Sequence, residues 1–108
     1  MDKGEIWLTS LPEQTGKEQV GKRPALIIAD TKTGLIIVIP FTSSLEKLKY
    51  NYTVEINPSL ENALDKKSVA LLFQMRAIDK KRVVHKIGKL EDSYLREIDE
   101  NIKKLLKL

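Results

Sequence analysis

The run Ala25-Leu26-Ile27-Ile28-Ala29, the turn Asp30-Thr31-Lys32-Thr33-Gly34 and the run Leu35-Ile36-Ile37-Val38-Ile39 decide the fold. Two apolar segments of strand length, joined by a polar turn that ends in glycine, read as a β-hairpin. Neither segment alternates with polar residues, which predicts buried strands. Pro40 ends the second strand, and Phe41-Thr42-Ser43-Ser44 sits at its mouth. Three consecutive hydroxyls there serve either as turn formers or as ligand contacts. On the other side of the hairpin, Glu18-Gln19-Val20-Gly21-Lys22-Arg23-Pro24 leads into the first strand. Glycine lets a backbone turn or approach a ligand, and an arginine fork suits phosphate. Taken alone, Gly-Lys-Arg-Pro would serve equally well as a solvated turn.

Outward from the hairpin, Ile6-Trp7-Leu8 reads as a short first strand. Residues 9 to 22 form a long loop punctuated by Pro12, Gly16 and Gly21, a length associated with function or disorder. After the hairpin, Leu45 to Asn51 is basic and irregular. Tyr52, Val54 and Ile56 alternate with Thr53 and Glu55, the pattern of a half-buried strand. Ser68 to Gln74 and Val83 to Leu90 read as two more strands, with Gly88 marking a bulge. From Asp92 the period changes. Leu95, Ile98, Ile102, Leu105 and Leu106 make one helical stripe, with Asp92 or Ser93 placed to cap it and lysines at its end. The expected architecture is mainly β: a small barrel of five or more strands with a C-terminal helix, one domain over residues 1–108.

Composition limits the function classes. The chain of 108 residues is 42% hydrophobic and 31% charged, which fits one compact globular domain and excludes a disordered chain. It has no cysteine, so disulfides and thiolate metal sites are excluded. No apolar run reaches membrane-span length and the N-terminus has no signal-peptide layout, so a cytoplasmic location is expected. Residues 1 to 60 balance seven basic against seven acidic side chains, whereas Lys66 to Lys89 holds eight basic residues and one acid, Asp79. That excess is a plausible footprint for a polyanion, or a set of lysines that solubilise a sheet face.

Most catalytic sets are absent. His85 is the only histidine and lies in a strand beside Lys86, where it is expected to point outward. The acids are dispersed or on the helix, so no metal site is expected, and no nucleotide-type glycine loop is present. Chemistry would fall to Arg, Thr, Ser, Glu or Lys.

Gly4-Glu5-Ile6-Trp7-Leu8, Gly16-Lys17-Glu18-Gln19, Gly21-Lys22-Arg23-Pro24-Ala25-Leu26-Ile27-Ile28, Pro40-Phe41-Thr42-Ser43, the run Ser68 to Arg82, Ile87-Gly88-Lys89-Leu90 and the final helix occur in that order. Together they make nearly the whole chain resemble the MazF/PemK toxins. The resemblance implies an SH3-like barrel with a C-terminal helix, a homodimer, and a sequence-specific, metal-independent endoribonuclease of a toxin–antitoxin pair. It implies no cofactor, single-stranded RNA as substrate, and a cognate antitoxin whose acidic, initially disordered tail covers the basic groove. It maps catalysis onto Arg23 and Thr42. RNA contacts are expected from Lys17, Glu18, Gln19, Ser43, Phe73, Gln74 and Arg76; for Gln74 and Arg76 a role in dimer or core-edge hydrogen bonding competes. Glu18 is a candidate general base, because Arg23 stays protonated.

Two departures stand out. Phe73 occupies a position that is usually acidic in relatives and could stack on a base instead. The hairpin at Asp30 to Gly34 is also shorter than in many relatives. Two alternatives stand beside this reading: a same-fold toxin that poisons DNA gyrase, as the related CcdB toxins do, and an RNA-binding module whose catalysis has decayed. A gyrase poison would have no reason to place Arg23 and Thr42 together.

Overall fold

The computed structural model of the protein describes residues 1–11 and 21–108. Seven strands precede one helix: β1 (Glu5–Leu11), β2 (Gly21–Asp30), β3 (Leu35–Thr42), β4 (Thr53–Ile56), β5 (Ser68–Leu71), β6 (Arg76–Asp79), β7 (Val83–Lys89) and α1 (Asp92–Leu106). All pairings are antiparallel. The strand path runs β4-β5-β3-β2-β1-β7, with β6 added to β3. The expected mainly-β architecture with a terminal helix is present. No hydrogen-bonded pairing joins β4 to β7 among the described residues, so the barrel is open there.

The hairpin β2–β3 is the centre of the sheet. Ala25 faces Pro40, Leu26 faces Ile39 and Ile27 faces Val38. Its two faces feed two apolar clusters. Leu26, Ile39 and Phe41 join Ile6, Val54, Ile56, Leu72, Leu90 and the helix residue Ile98. Ala25, Ile27, Ile36 and Val38 join Leu11 and Ile78, with Trp7 packed against them. Burial on both faces is why these two strands are apolar at successive positions. Asp30 pins the turn: Oδ1 accepts the Lys32 N–H at 3.0 Å and Oδ2 accepts from Lys80 Nζ at 3.2 Å. These bonds hold the Asp30 carboxyl below its usual range, the Lys32 amide contributing most.

Four local expectations are corrected. Pro40 does not end β3, which continues to Thr42. The outer edge of β3 pairs with β6 up to Val38 and with β5 from Phe41. Proline, which has no N–H, therefore sits in the gap between partners. The run Ser68 to Gln74 is not one strand: β5 stops at Leu71, a 3₁₀ turn spans Leu72–Gln74, and the chain folds back as β6. The segment Leu45–Lys49 is a 3₁₀ helix. Helix α1 is capped by neither Asp92 nor Ser93; its N-cap is Glu91, whose side chain makes no cap bond. The Glu91 carboxylate instead accepts from Asn62 Nδ2 at 3.1 Å.

Asn62 is fully buried and saturated. Its Oδ1 accepts the backbone N–H of Ser59 (3.0 Å) and of Leu64 (3.1 Å), and its Nδ2 also donates to the Asn57 carbonyl at 2.9 Å. With the Lys89 N–H on the Glu61 carbonyl at 3.0 Å, these bonds clamp the 57–64 corner onto the end of β7. Gly88 beside it follows a bulge, since Ile6 faces Gly88 while Trp7 faces Lys86. A Cβ at Gly88 would lie 2.5 Å from the Asn62 carbonyl oxygen.

Two predictions follow from this packing. Gly88→Ala should destabilise the fold by about 1–3 kcal/mol, because backbone rather than a flexible side chain must move; urea unfolding measures it. The second concerns Glu5, which accepts the Trp7 indole N–H at 2.9 Å and pairs with Lys86 at 3.3 Å. The indole bond leads in holding Glu5 below 4.5. A lowered carboxyl stabilises the fold above its unfolded value and loses that contribution as pH falls through the folded one. The stability advantage of the wild type over Glu5→Gln should therefore shrink below pH 4.5, with Trp7 fluorescence as the probe.

Candidate active site

The fork between β2 and β3 holds the candidate site. Their pairing ends at Ala25 and Pro40, after which β3 follows β5 while β2 stays with β1. Carrying the register two residues further sets Arg23 opposite Thr42. Both strand ends line one hollow of about 200 Å³, together with Lys22, Pro24, Phe41 and Ser43. The segment Leu64 to Lys66 and Ser68 close its other wall.

Each side chain has a structural reason for its place. The Arg23 backbone is fixed by β1, where Thr9 is its partner and donates Oγ1 to the Arg23 carbonyl at 3.0 Å. Its side chain is half-buried. Thr42 is buried, and its Oγ1 accepts the Ser44 N–H at 3.2 Å, holding the chain as it leaves β3. That bond uses one lone pair and leaves the hydroxyl proton available to donate. Ser43 is exposed on the rim. Among the described lining residues, three cations (Lys22, Arg23, Lys66) meet one acid, Asp65, so the hollow favours an anion.

A second hollow, of about 390 Å³, is lined by Lys47, Tyr50, Phe73 and Gln74. Phe73 and Tyr50 are both exposed, and their rings meet edge to face at 5.8 Å. Lys47 and Lys49 place Nζ 5.7 and 5.4 Å from the Tyr50 ring centre. Exposed aromatic faces beside cations are the chemistry that holds an unpaired base next to a backbone phosphate.

The sequence-predicted residues divide accordingly. Arg23, Thr42 and Ser43 share one hollow, and Phe73 and Gln74 share another. Arg76 lies on β6 opposite Val38, with its guanidinium nitrogens shielded from solvent. Lys17, Glu18 and Gln19 lie outside the described residues. Sequence reading missed Asp65 and Tyr50, and had Lys66 only as part of the basic excess. Tyr50 carried one usable signal, an aromatic within a basic segment. The basic excess between Lys66 and Lys89 proves less uniform than its count: Lys67 pairs with Glu55, Lys80 with Asp30 and Lys86 with Glu5. Among the described residues no group of three His, Asp or Glu could hold a metal ion, and no helix is long and apolar enough to cross a membrane.

Comparison with known proteins places this arrangement. The family model described as "PemK-like, MazF-like toxin of type II toxin-antitoxin system" matches residues 2–106. The chain is 37% identical over 107 residues to an endoribonuclease MazF of Staphylococcus saprophyticus, covering 94% of this chain and 88% of that protein. A crystal structure of MazF from Deinococcus radiodurans superposes with a TM-score of 0.83 at 26% identity, covering 100% of this chain and 97% of the other. A MazE–MazF crystal structure from the same organism, at 24% identity and a TM-score of 0.74, covers 100% of this chain and 96% of that one and shares the fold. The chain belongs to the PemK-like, MazF-like toxin family.

Proposed function

We infer that this member of the PemK-like, MazF-like toxins is a sequence-specific endoribonuclease that cuts single-stranded RNA at the Arg23–Thr42 hollow. One observation carries the reading: the side chain best shaped for a phosphate and a buried hydroxyl donor line one cation-rich hollow. The 37% identical endoribonuclease supports the reaction class.

The chemistry asks little of the protein beyond positioning and charge. The 2′-oxygen of the RNA attacks the adjacent phosphorus, a P–O2′ bond forms, and the P–O5′ bond breaks. The 2′-hydroxyl loses its proton and the departing O5′ gains one, leaving a cyclic phosphate and a 5′-hydroxyl. The substrate supplies its own nucleophile, so neither a protein nucleophile nor a metal is required. Arg23 orients the phosphate and offsets charge growing on its non-bridging oxygens, and the Thr42 hydroxyl adds a neutral donor. The Thr42 hydroxyl is already held by the Ser44 N–H, and the Arg23 backbone by β1, which limits reorganisation as the charge develops.

Sequence selection falls to the second hollow. Phe73 and Tyr50 stack a splayed base, and Gln74 offers an amide that can donate to and accept from a base edge. The protein acts as a homodimer in the cytoplasm and is neutralised by an antitoxin with an acidic tail. The MazE–MazF structure of a relative supports such a partner.

Incubating the purified protein with a long RNA in EDTA and mapping the ends tests the reaction. The expected result is cutting at one short motif, with Arg23→Ala and Thr42→Ala each slowing it by about 10²–10³ without loss of fold. Growth arrest with intact RNA would overturn the reading, and an unchanged Thr42→Ala rate would remove that residue from the site. Phe73→Ala and Tyr50→Ala should each weaken binding of a motif-containing oligonucleotide by about 1–3 kcal/mol, measured by anisotropy on the Arg23→Ala background.

A further inference from the structure

A third hollow, of about 560 Å³, lies on the far side of the 63–66 segment from the candidate active site. Pro24, Leu64 and Asp65 line both, so the two are successive stations of one groove. The strand register shows how they connect. His85 on β7 faces Leu8 on β1, and Leu8 faces Pro24 on β2. The three side chains therefore stand in one row across the sheet, running from His85 to the residue beside Arg23. With neighbouring strands about 4.8 Å apart, the row spans roughly 10 Å.

We propose that this groove is an extended substrate subsite: RNA flanking the scissile phosphate runs over Pro24 and Leu8 and ends at His85. The inference rests on the ribonuclease reading of the Arg23–Thr42 hollow and adds where the strand goes next. Three observations support RNA as the occupant. The hollow adjoins the candidate phosphate site through the shared lining residues Pro24, Leu64 and Asp65, and its volume suits a nucleotide-sized group. Its floor is apolar (Leu8, Pro24, Leu64, Ile87), as a base face requires, while its far end carries an imidazole that can stack or donate. Its charge also fits: with Lys86 paired to Glu5, the lining cations Lys22, Arg23 and Lys66 of the two hollows still outnumber Asp65 three to one. His85 is exposed, so its substitution leaves both apolar clusters untouched.

The test compares kcat/KM for an oligonucleotide holding only the mapped cut motif with versions extended by a few nucleotides on the 5′ side or on the 3′ side. Extension on one side should raise kcat/KM. His85→Glu should lower the extended-to-minimal ratio by about three- to tenfold, and His85→Lys should raise it. No gain from either extension, or a gain indifferent to both substitutions, would overturn the subsite while leaving the active site standing. An oligoglutamate peptide that binds in a His85-dependent way while RNA extension has no effect would make the groove a protein site and equally overturn it. A protein that cuts no RNA at all would sink the ribonuclease reading first.

Discussion

The change of partner along β3 is the constraint on which the rest of this structure depends. One eight-residue strand pairs with β2 along one edge and serves β6 and then β5 along the other. The pairing with β2 ends at Pro40, where the other edge of β3 exchanges β6 for β5. Proline is tolerated there because its missing donor falls in the gap between those outer partners. The separation of β2 and β3 beyond Pro40 opens the hollow. Arg23 and Thr42 are therefore brought together by their distances from the last paired residues, Ala25 and Pro40.

A fork needs a wall to become a site, and the Asn62 corner supplies it. Segment 63–66 has no strand or helix of its own, yet it lines both the candidate active-site hollow and the hollow beside it. Its position follows from one saturated amide. Four hydrogen bonds through Asn62 tie residues 57, 59 and 64 to the helix entrance at Glu91. Leaving any of those buried groups unmet would cost about 1–3 kcal/mol, which fixes the corner more tightly than a loop of this composition would suggest. Gly88 permits the approach, as no side chain fits between β7 and the Asn62 carbonyl. The Glu91 carboxylate, at the N-cap of α1, serves this corner rather than the helix.

How much could be read beforehand depended on whether the information was local. The β2–β3 hairpin was legible because uninterrupted apolar residues have few alternatives to two-sided burial, and the stripe of α1 because its period is intrinsic to a helix. The strand β6 was not legible: Arg-Ala-Ile-Asp buries only Ile78 and owes its existence to the free edge of β3. The break after Leu71 was hidden for the same reason, since Leu72 is as apolar and as buried as the strand it leaves. At the site, residue types suggested a phosphate ligand at Arg23, but only the resemblance joined it to Thr42. Asp65 had no signal, and Lys66 only its share in the basic excess, because a wall made by tertiary clamping leaves no pattern along the chain.

The charge distribution shows why counting along the sequence misleads even when the count is right. The basic segment from Lys66 to Lys89 meets acids from the first half of the chain, and three of its lysines are held by Glu55, Asp30 and Glu5. Those pairs fasten β4 to the start of β5, the hairpin turn to the end of β6, and β1 to β7. Such exposed or partly exposed pairs contribute little stability individually, but each takes a cation out of the field that an approaching polyanion feels. The cations that line the hollows stand at separate points: Lys22 and Arg23 at the start of β2, Lys66 on the clamped wall, and Lys47 and Lys49 around Tyr50. A chain of net charge +4 thus presents discrete cationic points beside shaped hollows rather than a basic face. Discrete points favour a strand held in one path over non-specific adhesion, as the proposed selective cutting of an unpaired strand requires.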